Sequence, residues 1–157
     1  MSKFQLKIFF KAAYDLMLVF LQFFIISLHF FQWEFLPQKR IIHPSSFSYF
    51  LGILIIIIAF IIMLVSIKDL GRNLSPFPRP INNCNLVTRG IYRFTRHPMY
   101  YSLVFISFGV FITKLSFYYL FLTISLALII KLKIALEEKY LMNKFKNYLL
   151  YKNEVKV

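Results

Sequence analysis

Twenty-one consecutive residues, Phe47 to Ile67, carry no charged side chain. At the rise of an α-helix such a run is about 30 Å long, the thickness of a bilayer's hydrocarbon core. A segment crossing lipid must satisfy its own backbone amides, so it has to be helical. The run marks the chain as an all-α integral membrane protein. A hydrophobic content of 59% over 157 residues fits one domain whose main solvent is lipid.

Further spans follow by the same measure. Residues 12–31 form a first span, with Asp15 near its start and Gln22, Ser27 and His29 further along. It runs into Phe31, Trp33 and Phe35, an aromatic cluster of the interfacial-belt kind. Asp15, Lys11 and Lys68 read as interfacial, and His29 as a hydrogen-bonded interior or interfacial residue rather than a catalytic one. The basic start at Lys3, Lys7 and Lys11 is like that of a signal peptide, but no small-residue cleavage site follows it, so an uncleaved first span is expected.

Met99 to Ile130 is interrupted only by Lys114. As one helix it would be about 48 Å long and overshoot the bilayer. A hairpin turning at Thr113 to Ser116 is predicted instead. Four spans result, over 12–31, 47–67, 99–112 and 115–132. A loop covers 68–98, where Pro76, Pro78 and Pro80 break any continuous helix. In the tail, 133–157, Leu141, Phe145, Tyr148 and Leu149 at helical spacing predict an amphipathic helix along the membrane surface.

The formal charge of +13 is distributed as a topology signal, not as a nucleic-acid footprint. With both termini inside, sixteen Lys and Arg fall on the cytoplasmic side and only Lys39, Arg40 and Lys114 outside. The small size and the Ile, Phe, Lys and Asn bias point to a bacterial inner membrane. Cys84 is the one cysteine and the histidines are scattered at 29, 43 and 97, so neither a disulfide nor a metal-ligand set is expected. Four dispersed glycines leave no Gly-rich nucleotide cradle.

Polar chemistry concentrates in two places. One is Leu86 to Tyr100, where the loop re-enters the membrane and reads Arg96-His97-Pro98-Met99-Tyr100. The other is Glu137-Glu138, past the last span. The first can be a juxtamembrane basic patch with a proline in the first turn of a helix. The acids lack forward i,i+4 Lys partners, because Leu141 and Met142 stand there, so a plain solvated face explains them less well. A cation cluster and a carboxylate pair flanking one helical hairpin also match the two ends of a zwitterionic amino acid. S-adenosylmethionine carries one.

Here the sequence resembles the isoprenylcysteine carboxyl methyltransferases and the related membrane phospholipid methyltransferases, over roughly Leu70 to Val155. The resemblance rests on Leu86-Val87-Thr88-x-Gly90-x-Tyr92-x-x-x-Arg96-His97-Pro98-x-Tyr100, followed by Glu137-Glu138-x-x-Leu141, Phe145 and Tyr148-x-x-Tyr151. Ser102 and Lys146 stand where that family commonly has glycine. The resemblance implies an S-adenosylmethionine pocket lined by Leu86, Val87, Tyr92, His97, Pro98, Met99, Tyr100 and Glu137, with Cys84 and Asn85 at its edge. It puts Lys133 at an acceptor contact and makes Arg96, His97 and Glu138 the catalytic candidates.

Methyl transfer from a sulfonium to a carboxylate needs neither metal nor general base, since the acceptor is already anionic at pH 7. An amine acceptor would need a base, for which Glu138 or Tyr100 are candidates. A lipid-like or isoprenylated acceptor, entering sideways from the bilayer, is the expected partner, with a carboxylate as the accepting group. The alternatives are an NADPH-dependent membrane reductase of the sterol-reductase type and a non-catalytic membrane protein.

Overall fold

A computed structural model describes residues 3–30 and 40–155. The predicted aromatic cluster Phe31, Trp33, Phe35 and the outer Lys39 lie outside those residues. The described chain is helical: α1 (Lys3–Leu28), α2 (Ser46–Leu70), α3 (Pro98–Lys114), α4 (Phe117–Lys144) and a short α5 (Tyr148–Glu154). Three stretches are long and apolar enough to cross a membrane, Phe9–Leu28, Ser46–Asn73 and Phe117–Lys144. α3, with 17 residues, is at the short limit for a crossing.

Local chemistry sets the helix ends. Ser45 caps α2 by accepting from Ser48 N at 3.1 Å, and Gly71, at φ +53, ends it. Pro98 opens α3, where its missing N–H leaves no bond unmade. The expected hairpin turn is made by Leu115, in the left-handed region at φ +45, and by Ser116, which caps α4. α4 then continues through Lys144, so the segment read as the start of an interfacial tail forms the last turns of this helix. Among the described residues of the tail, α5 is the one separate element.

α2 and α3 pack closely because each presents a glycine to the other. A Cβ on Gly52 would lie 2.7 Å from the Gly109 carbonyl oxygen, and one on Gly109 would lie 2.9 Å from that of Gly52. Such small-residue crossings let helix backbones approach within the membrane, where no hydrophobic force drives association. α1, α3 and α4 share a core of Ile25, Tyr100, Tyr119, Leu122, Leu126 and Ile130. A polar chain threads it: His29 Nε2 lies 2.7 Å from Ser107 Oγ, which lies 2.9 Å from Thr123 Oγ1. His29 is thus an interior hydrogen-bonding residue.

The two ends of the bundle differ. At one, Ile41 N donates to the Leu115 carbonyl at 2.7 Å, which brings Arg40 beside the α3–α4 turn. At the other, residues 71–97 fold back over the helix ends. This segment carries two short 3-10 turns, at Gly71–Asn73 and Gly90–Arg93, and no longer helix, as its prolines predict. Asp69 Oδ2 accepts from Ile91 N at 2.8 Å and anchors the return. Gly90 is required there: its φ is +61, and a Cβ would meet Asp69 Oδ2 at 2.0 Å.

Candidate functional site

Glu137 and Glu138 are neighbours on α4, so their side chains leave the helix about 100° apart. The structure uses that difference. Glu138 is buried, and its Oε1 accepts from Arg96 Nε at 3.0 Å and Nη2 at 2.9 Å. Its Oε2 accepts from Lys152 Nζ at 2.7 Å. Arg96 Nη1 donates in turn to the carbonyls of Lys152 and Val155. The pair therefore ties the start of α3, the end of α4 and α5 into one corner. Tyr151 adds a bond from its hydroxyl to the Tyr92 carbonyl at 2.6 Å.

Glu137 faces the other way, into a partly enclosed cavity at this end of the bundle. Tyr100 stands on the same cavity wall. Of the residues singled out in the sequence, Cys84, Asn85, Leu86, Val87, Tyr92, Arg96, His97, Met99, Tyr100 and Glu137 all line this one cavity. Pro98 does not; it faces an apolar groove between α2 and α3 with Ile58 and Phe105. Glu138 also stays outside the wall, held in its ion pairs.

Lys133 is wholly buried in the bundle. Its ammonium donates to Gln22 on α1 and to the Pro76 carbonyl at 2.9 Å, and lies 5.2 Å from the centre of the Tyr100 ring. In this structure it reaches α1, the loop and the Tyr100 ring, and does not itself line the cavity.

His97 is buried between the Arg96–Glu138 pair and the Tyr100 ring, with ring centroids 5.9 Å apart. Its Nε2 lies 3.4 Å from Glu138 Oε1. Burial pushes its pKa down to about 4, against the opposing pull of Glu138, so the ring is neutral at pH 7.

Sequence reasoning missed part of the wall. Phe77, Pro78 and Arg79 come from the middle of the loop, where no periodicity signals a role, and Tyr148 comes from the turn into α5. Arg79 pairs with Asp15 of α1 at 3.1 Å, and Tyr140 also reaches Asp15. Asp15 is thus buried by the folded-back loop instead of standing at the interface. A charged partner downstream was its one signal. The Tyr148 hydroxyl is buried and has no hydrogen-bond partner among the described residues.

The cavity combines apolar and aromatic walls with one acid, two arginines, a neutral imidazole and an unsatisfied hydroxyl, at one end of a membrane helix bundle. That suits a ligand with a flat apolar part and an end that carries both a positive and a negative charge. No curated protein and no solved structure matches the chain. A family model described as phospholipid methyltransferase matches residues 47–148, from the first turn of α2 to the first residue of α5. That match spans all of α3 and α4 and most of the cavity wall, and the chain belongs to the phospholipid methyltransferase family.

Proposed function

We propose that this membrane methyltransferase takes its methyl group from S-adenosylmethionine held in the cavity and passes it to a lipid-like acceptor at the cytoplasmic membrane face, in a bacterial inner membrane. The observation that carries the reading is Glu137, a single acid set among Tyr92, Tyr100, Leu141, Phe145 and Tyr148 in a cavity built from the segment shared with the family.

The residues fit that donor. Glu137 matches the ammonium of an amino acid, the aromatic and aliphatic walls match a nucleoside, and the Tyr148 hydroxyl is a polar group in need of a partner. When bound, S-adenosylmethionine supplies a methyl group on a positively charged sulfur. The chain's own contribution is to hold and orient that ligand and to keep water out, since a dry site favours a step in which opposite charges cancel.

A carboxylate on the acceptor is already a nucleophile and needs no base. An amine would have to lose a proton first, and His97 on the cavity wall, its pKa pushed down to about 4 by burial, is a weak base for that step, which favours the carboxylate. Glu138, saturated by Arg96 and Lys152, is a positioning residue under this reading, and so is Lys133. The sixteen-to-three bias of Lys and Arg supports the cytoplasmic placement of the cavity end.

The test is calorimetric binding of S-adenosylmethionine, its demethylated product and NADPH to the detergent-purified chain. Binding of the two methionine-derived ligands, lost in His97→Ala and Glu137→Ala, is the expected result. NADPH binding in their place would make the protein a reductase. Folded protein that binds none of the three would exclude both activities.

A further inference from the structure

A carboxylate entering an apolar cavity needs a cationic partner there. Two arginines line this cavity, Arg79 and Arg96. Arg96 has little left to offer: four of its five N–H donors are in use, with Nε and Nη2 donating to Glu138 and Nη1 donating to the Lys152 and Val155 carbonyls. Withdrawing any of these would strand a buried carboxylate or carbonyl. His97, the other lining group of basic type, is neutral at pH 7.

Arg79 is placed differently. Its side chain is 45% exposed, its Nη2 lies 3.1 Å from Asp15 Oδ2, and its guanidinium carbon lies 5.5 Å from the centre of the Tyr140 ring. A guanidinium has five N–H donors, and the contacts with Asp15 and Tyr140 engage only part of them. The same side chain lines both the cavity and a shallow depression on the α1 side that contains Asp15. It is a tethered cation at the boundary between cavity and water.

We propose that Arg79, and not Arg96 of the Arg96-His97-Pro98 segment, binds the carboxylate of the donor's amino-acid end while Glu137 takes its ammonium. The assignment rests on the proposed S-adenosylmethionine reading. Arg79 then sets specificity, favouring ligands that carry the carboxylate over those that lack it. Asp15 fixes the guanidinium before the ligand arrives, which spares part of the ordering cost of binding.

Calorimetric titration of the purified full chain with S-adenosylmethionine and with its decarboxylated analogue tests this. The wild type should prefer S-adenosylmethionine by about tenfold or more, the ordinary worth of a charge-assisted contact. Arg79→Gln should lose about that factor for S-adenosylmethionine while its affinity for the analogue stays the same or rises. Arg79→Lys, which keeps the charge, should retain part of the preference. Analogue binding also reports that the cavity is still folded in each variant.

Equal weakening of both ligands by Arg79→Gln would make Arg79 a strap for the loop and overturn the assignment. An unchanged preference, or a Lys variant as indifferent to the carboxylate as the Gln variant, would overturn it too. A wild type that binds neither ligand would remove the methyltransferase reading and this assignment together, which separates that failure from the others.

Discussion

Arg96 reaches a single oxygen of Glu138 through two nitrogens, Nε at 3.0 Å and Nη2 at 2.9 Å, with both side chains at most 10% exposed. Removing one partner of a buried pair leaves the other charge uncompensated, typically at about 3–5 kcal/mol, whereas replacing both by apolar groups is often close to neutral. Arg96→Met and Glu138→Leu should each destabilise the protein by an amount of that order, the first at the lower end because Lys152 still pairs with Glu138. Arg96→Met with Glu138→Leu should cost clearly less than the sum of the two. Unfolding of the four proteins in detergent, read as a double-mutant cycle, measures the coupling.

The long helices were legible because each contains a long apolar stretch, broken in the first by Asp15 and Gln22, and the α3–α4 turn because Met99 to Ile130 is too long for one crossing. The residues from Leu86 to Tyr100 were legible as a cluster because they are contiguous. The division of labour between Glu137 and Glu138 was not. Two adjacent acids look like one feature in a sequence, and only the helical rotation turns one to the cavity and the other to Arg96. The pairing of Asp15 with Arg79 was hidden for another reason. It depends on how a proline-rich loop folds back on α1, and no local periodicity encodes that.

Gly90 shows where a single backbone position governs the cavity wall. Its positive φ and the Asp69 carboxylate standing where a Cβ would go make Gly90→Ala unfavourable twice over. The substitution should cost about 1–3 kcal/mol and weaken the anchor from Ile91 N to Asp69. Faster limited proteolysis between residues 71 and 97, with the helices still protected, is the expected sign. Asp69→Ala in the Gly90→Ala background removes the clash but also the anchor to Ile91 N, and it leaves the strain, so the double variant should recover little of the protection.

The buried neutral imidazole of His97 gives stability a pH dependence of definite sign. Its folded-state pKa of about 4 is below the unfolded value near 6.5, so between these two limits the unfolded chain holds the extra proton. This contribution is full above about pH 6.5 and declines on acidification, by at most ~1.4 kcal/mol per pH unit, until the folded protein also titrates near pH 4. The integrated loss is roughly 3 kcal/mol. Unfolding free energies of wild type and His97→Gln, compared from pH 7.5 to 4, should diverge in slope within that window and run parallel above it.

Tyr148 separates stability from binding. Its hydroxyl is buried on the cavity wall without a partner among the described residues, a condition that costs a folded protein about 1–3 kcal/mol. Tyr148→Phe removes the unsatisfied oxygen and keeps the ring and its edge contact with Tyr151, whose centroid is 6.0 Å away. The ligand-free variant should therefore be as stable as wild type, or more stable by about 1 kcal/mol. If the hydroxyl is left open for the donor, the same variant should bind S-adenosylmethionine about five- to tenfold more weakly, the worth of one hydrogen bond. Melting temperature without ligand and calorimetric affinity with it then move in opposite directions. A variant that is both less stable and weaker in binding would mean that Tyr148 serves the packing of α5 rather than the ligand.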